Sequence, residues 1–175
     1  MKKIIVVISV LFLLIGCATE SQFTASSTKN KLPKVYKIDL DNDGLEENVK
    51  IEDLSSSWVI SITRRDKSEV GSLKAEGHLV RVEFIDLKQD GYQQIAVSYY
   101  DPEKLSYLTV HGLKNEKLSQ VFSISSKCGV DAELGQGLAR IRVGKPQPGY
   151  SECSNDNMIV WDAWVWSGDK FIKER

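Results

Sequence analysis

IDLDNDG at residues 38–44 and IDLKQDG at residues 85–91 are two copies of one phrase, offset by 47 residues. They agree at Ile, Asp, Leu, Asp and Gly, and differ where Asp41 and Asn42 give way to Lys88 and Gln89. Apolar residues alternate on both sides of each copy: Val35, Tyr36 and Ile38 before the first, Val49 and Ile51 after it. Leu79, Val80, Val82 and Phe84 precede the second, and Ile95, Val97 and Tyr99 follow it. Alternation at period two puts successive side chains on opposite faces of an extended chain. Each phrase therefore reads as a turn between two strands.

The same period continues through Trp58, Ile60 and Ile62, Leu108 and Val110, Val121 to Ile124, Leu138 to Val143, and Met158 to Trp166. Short polar segments such as SSS, RRDKS and KNEK separate these β-branched and aromatic runs. The chain is expected to be all-β, with only a weak helical signal at Val130 to Leu134. Repeats of roughly 40 to 50 residues are typical of propeller blades and related sheet arrays. The two copies, near 35–75 and 79–125, resemble FG-GAP or VCBS-type repeats, whose core is a strand, an Asp-x-Asp-x-Asp-Gly loop and a second strand. Asp39, Asp41, Asp43, Gly44 and Glu47 match that loop, whereas Lys88 and Gln94 depart from it. A closed propeller takes about four to eight blades, and residues 34–175 have room for three. The expectation is two antiparallel blade-like sheets and a C-terminal sheet, an incomplete propeller or compact β domain.

The first residues set an address. Lys2 and Lys3 precede an apolar run from Ile4 to Ile15, too short for the roughly 20 residues of a spanning helix and suited to an export signal. The run ends in Leu14-Ile15-Gly16-Cys17, which resembles the lipobox of bacterial lipoproteins. The resemblance implies a signal peptide over 1–16 and a lipidated Cys17 that holds the protein to a membrane of the cell envelope. Ala18 stands where an aspartate would resemble an inner-membrane retention signal. Outer-membrane sorting is thus implied for a Gram-negative source, and the outer face of the cell membrane otherwise. Residues 17–33 then form an anchor and tether rich in Ser, Thr and Lys, with a mean reach of roughly 20 to 25 Å.

Charge narrows the partners. The chain carries 23 basic and 24 acidic residues with no basic cluster, which argues against nucleic acid, since phosphate binding needs a concentrated cationic face. The carboxylates of Asp39, Asp41, Asp43 and Glu47 repel each other, and convergence on one calcium ion would relieve them, because calcium takes six to eight oxygen ligands. Lys50 stands where an EF-hand needs its last acid, so that motif is excluded. The competing reading is a solvated turn whose aspartates bond local N–H groups. In the second copy, Lys88 is expected to pair with Asp86 or Asp90 and to exclude a metal.

Cys128 and Cys153 are expected to form a disulfide, as export favours; a metal or redox pair would call for CxxC spacing. His78 and His111 lie in no metal spacing, no Gly-x-Ser-x-Gly surrounds Ser98 or Ser106, and Asp162 lacks a second acid in an equivalent setting. A non-enzymatic binding or structural role in the envelope is therefore expected, with an envelope protein or glycan as partner. The alternative is a small lipoprotein that inhibits or assists an enzyme such as a cell-wall hydrolase. In VWDAWVWSGDKFIK, alternation puts Trp161 on one face and Trp164 and Trp166 on the other. Burial would make this hairpin a core element, and exposure would make Trp161, Trp164 and Trp166 a binding platform. Both readings stay open at this point.

Overall fold

The computed structural model describes residues 33–135, 138–149, 153, 159–168 and 170–174. The signal peptide, Cys17 and all of the tether but Pro33 lie outside these residues. Among the described residues, twelve strands form three four-stranded sheets, each a simple antiparallel meander in chain order. The first sheet contains β1 (Lys34–Ile38), β2 (Glu47–Asp53), β3 (Ser57–Thr63) and β4 (Glu69–Glu76). The second contains β5 (His78–Ile85), β6 (Gln94–Tyr100), β7 (Ser106–Lys114) and β8 (Lys117–Ser126). The third contains β9 (Val130–Gly135), β10 (Leu138–Pro146), β11 (Ile159–Trp166) and β12 (Phe171–Lys173). The chain is all-β and blade-like.

Alternation builds the stack. In the first sheet, Val49, Ile51, Trp58, Ile60 and Ile62 are buried together with Leu40 and with Ile95 and Val97 of β6. On the other face of the second sheet, Ile85, Leu87, Ala96, Leu108 and Val110 pack with Ala132, Ala139, Ile141, Val143 and Phe171 of the third. The second sheet is therefore the middle layer, covered on both faces. This is why β6 is buried continuously from Gln94 to Val97 while the outer strands alternate. Each large aliphatic side chain removed from water here contributes about 1.5–3 kcal/mol.

Local chemistry sets the turns. Lys114 pairs with Lys117 across Asn115 and Glu116, both at positive φ, the conformation of a two-residue hairpin turn that follows strand twist. In RRDKS, Arg64 N–H donates to Ser68 O, Asp66 accepts from the Ser68 N–H and hydroxyl, and Lys67 takes φ 69°. At β11–β12, Ser167 N–H donates to Lys170 O and brings Phe171 opposite Trp166.

The weak helical signal at Val130 to Leu134 is overturned, because these residues are in β9 and pair with β10 from Val130↔Val143 to Leu134↔Ala139. Ala132 is buried against the middle sheet with Val130 and Leu134 packed beside it. Apolar residues at 130, 132 and 134 share one face only in an extended chain.

Cys128 and Cys153 are joined in a disulfide with Cα atoms 5.2 Å apart. The bridge ties the start of β9 to the connection between β10 and β11. Gly144 lets the backbones close up there: a Cβ on it would lie 2.5 Å from Cys128 O, and its N–H donates to Gly129 O at 2.9 Å.

Candidate functional site

The two loops that carry the repeated phrase have the same backbone. Asn42 and Gln89 take φ 58° and 56°, and Gly44 and Gly91 take φ 86° and 88°. Gly44 N–H donates to Asp39 Oδ2 at 2.9 Å, and Gly91 N–H donates to Asp86 Oδ2 at 2.9 Å. Leu45 N–H donates to Asp43 Oδ1, as Tyr92 N–H does to Asp90 Oδ1. Leu40 N–H donates to Glu47 Oε2 at 2.9 Å, and Leu87 N–H donates to Gln94 Oε1 at 2.9 Å. The invariant aspartate and the last polar residue thus tie each loop to itself, and the leucine between them drops into a core at 1% or 2% exposure.

Side-chain oxygens of Asp39, Asp41 and Asp43 lie within 4.8 Å of one another. Asp39 Oδ1 and Asp41 Oδ1 are occluded from solvent and have no hydrogen-bond partner among the described residues. In the second loop, the corresponding Asp86 Oδ1 accepts from Asp90 N–H at 3.2 Å. The first loop therefore keeps buried oxygen capacity that the second has used, a donor set suited to a hard cation.

Glu47 does not belong to this group of three. It lies behind the loop at 2% exposure, with its carboxylate on Leu40 N–H. Burial pushes its pKa above the ordinary carboxylate value; the Leu40 N–H opposes the shift, and Asp41, Asp43 and Asp39 add to it by repulsion. The expected four-carboxylate convergence becomes three aspartates with Glu47 as their buttress.

Lys88 also departs from expectation. It is exposed and makes no ion pair with Asp86 or Asp90 among the described residues; the loop is held instead by Asp86, which accepts from the Asp90 and Gly91 N–H groups, and by Gln94, which accepts from Leu87 N–H. The loops also touch each other. Asn42 Nδ2 donates to Asp90 O at 3.2 Å, and a Cβ on Gly91 would lie 2.6 Å from that amide.

The three tryptophans do not form one platform. Trp164 and Trp166 pack against the core between the middle and third sheets, Trp166 edge-on to Phe171 at 5.1 Å. Trp161 is 44% exposed on the opposite face, with the Arg142 guanidinium 5.8 Å from its ring centroid. The period-two split explains this, since residues 161 and 164 fall on different faces of one strand.

Asp162 lies between two lysines, 2.5 Å from Lys145 Nζ and 2.9 Å from Lys173 Nζ. Hydrogen bonds from both hold its carboxyl below the ordinary range, a setting for a structural carboxylate rather than a proton donor. His111 sits in β7, where burial lowers its pKa.

Sequence reading missed the cleft beneath the second loop, lined by Lys88, Tyr92, Lys114, Val121 and Trp166. The signal was present: Tyr92 replaces Leu45 and Lys88 replaces Asp41 between the copies.

No family model and no curated protein matches the chain. Among solved structures, the chain is similar to the β-propeller domain of the Trilobed protease from Pyrococcus furiosus, which has an open velcro topology. The identity is 12% and the TM-score 0.24, over 83% of this chain and 58% of that one. The chain thus spans less than two thirds of the length of that protein chain.

Proposed function

We propose that the chain is a bacterial lipoprotein, held in the cell envelope by lipid on Cys17, whose β domain binds a partner and performs no catalysis. The observation that carries this reading is the order of features at the start: Lys2 and Lys3, the apolar run Ile4 to Ile15, and Leu14-Ile15-Gly16-Cys17. The polar tether that follows ends where β1 begins, at Lys34. Two or more acyl chains anchor stably where one does so only marginally. A domain on such a tether would face its partner from the membrane surface. The partner is an envelope protein or a glycan.

Calcium at the first loop belongs to the same proposal. The clustered Asp39, Asp41 and Asp43 and the unspent oxygens of Asp39 and Asp41 support it. The ion would supply charge neutralisation and stiffness to the loop, with Glu47 holding the loop from behind.

The test of the anchor is metabolic labelling with a fatty-acid analogue in cells that express the full chain. The native protein takes up label and is cleaved before Cys17. Cys17→Ser takes up none and stays uncleaved; normal labelling of that variant would remove the anchor from the proposal.

A further inference from the structure

We propose that the cleft between the middle and third sheets, beneath the second repeat loop, binds a sugar ring bearing a carboxylate or a phosphate. This deepens the binding role proposed above by naming a ligand class, and it rests on that reading for its biological setting only. The cleft has a volume of about 400 Å³, within the usual range for small-ligand sites, and is open to solvent.

The two loops share one backbone and differ in side chains, and those of the second loop reach this cleft. The first loop has Asp41 and Leu45 where the second has Lys88 and Tyr92, and both of these line the cleft. Neither replacement serves the loop's own shape, which Asp86 and Gln94 maintain as Asp39 and Glu47 do in the first copy. The second loop has lost the third carboxylate of a cation site and gained a cation and an aromatic ring.

The rest of the lining fits one ligand chemistry. Tyr92 is 45% exposed and Val121 47% exposed, so an apolar surface is available for the CH face of a sugar ring. Lys88 and Lys114 line the same cleft, and neither ammonium has an ion-pair partner among the described residues. They leave positive charge to meet an anionic substituent. Asp90 also lines the cleft; one of its oxygens accepts from Tyr92 N–H, and the carboxylate offers an acceptor to a ring hydroxyl. Trp166 forms part of the wall, with its indole N–H occluded and without a hydrogen-bond partner among the described residues. A purely apolar ligand would bury these charges without recompense, and a bare anion would leave the tyrosine unused.

Titration calorimetry on the full lipidated chain in detergent tests the proposal, with glucuronate, glucose 1-phosphate, glucose and inorganic phosphate as probes. Glucuronate or glucose 1-phosphate binds, and glucose and inorganic phosphate bind at least about ten-fold more weakly. Lys88→Ala and Tyr92→Ala each weaken the favoured probe by about ten-fold or more with an unchanged melting temperature, as both side chains are exposed. Equal binding of glucose would overturn the role of the anion, and equal binding of inorganic phosphate would overturn the role of the ring. Unchanged affinity in both variants, or no heat with any probe at about 10 mM, would overturn the cleft as the site. Fatty-acid labelling of the same samples reads the anchor separately, so the two proposals fail independently.

Discussion

Glu47 and Gln94 are equivalent acceptors in two copies of a loop: each takes, at 2.9 Å, the backbone N–H of the leucine seven residues earlier. One is an acid and the other its neutral amide, and both are almost completely buried. A carboxylate placed where an amide suffices brings charge that the fold does not need. Gln94 adds a bond that a carboxylate cannot make, from Nε2 to Tyr92 O at 2.8 Å.

Glu47→Gln should therefore stabilise the ion-free domain at neutral pH. The folded-state pKa of Glu47 lies above the ordinary value of 4.5 because of burial and the three aspartates. Between the two values the folded chain holds the proton that the unfolded chain releases, so stability falls as pH rises from 4.5 through the folded pKa. Melting curves in chelator should show the variant higher by roughly 2 to 4 °C at pH 7, the response to about 1 kcal/mol in a domain of this size. The gap should close below the ordinary carboxylate value, and a variant less stable at pH 7 would refute the account.

Calcium should bind once per chain, at the first loop. Calorimetry of the chelator-treated protein should give a stoichiometry of one and a rise in melting temperature with millimolar calcium, as a ligand of the native state requires. Asp41→Lys, which copies Lys88 into the first loop, should abolish both effects without loss of fold, because the second loop carries lysine there on the same backbone. No heat with the native protein would reject the site. A stoichiometry of two would reject the argument that a lysine excludes the ion.

The repeat phrase made the strand–turn–strand units legible, because its shared residues each meet a local need. The two leucines fill the cores, the aspartates accept from backbone N–H groups, and the glycines sit at positive φ. The third sheet was less plain. Only residues 136 and 137 separate its first two strands, and the run at Val130 to Leu134 is too short for period two to exclude a helix. At the site, spacing alone could not separate Glu47 from the three clustered aspartates: Glu47 lies in β2, whose alternation turns it inward. The cleft draws residues from β6, β7, β8, β11 and the second loop, a juxtaposition that no local pattern encodes.

Glycines at positive φ should divide into costly and cheap positions. Gly77, between β4 and β5, has φ 114°, and a Cβ there would lie 1.9 Å from Tyr100 O, a backbone atom that cannot swing away. Gly77→Ala should cost about 3 kcal/mol or more, since strain and overlap add. Gly44 has φ 86° with nothing within 4 Å of its Cβ, so Gly44→Ala should cost about 1 kcal/mol, the conformational penalty alone. Urea melts of the two variants check the order, and equal costs would show that the backbone at Gly77 shifts easily away from the end of β6.

Loss of the disulfide should destabilise the third sheet first. The bridge joins Cys128 to Cys153 across a sequence separation of 25, for which chain entropy gives roughly 3.5 kcal/mol. Hydrogen bonds independent of the sulfurs already organise its surroundings: Cys128 N–H donates to Ser126 Oγ at 3.0 Å, that hydroxyl donates to Gly144 O, and Gly144 N–H returns to Gly129 O. None of those hydrogen bonds uses a sulfur atom, so on reduction the folded state should lose little while the unfolded chain gains freedom. Cys153→Ser, or mild reduction, should therefore lower the urea midpoint with the slope nearly constant. Hydrogen exchange should rise most in β10 and β11 and least in β2 and β3, whose packing against β6 is independent of the bridge. Mass analysis of the untreated protein should find the two cysteines joined. Free thiols in the native state, or exchange that rises equally in the first sheet, would contradict this assignment of stability.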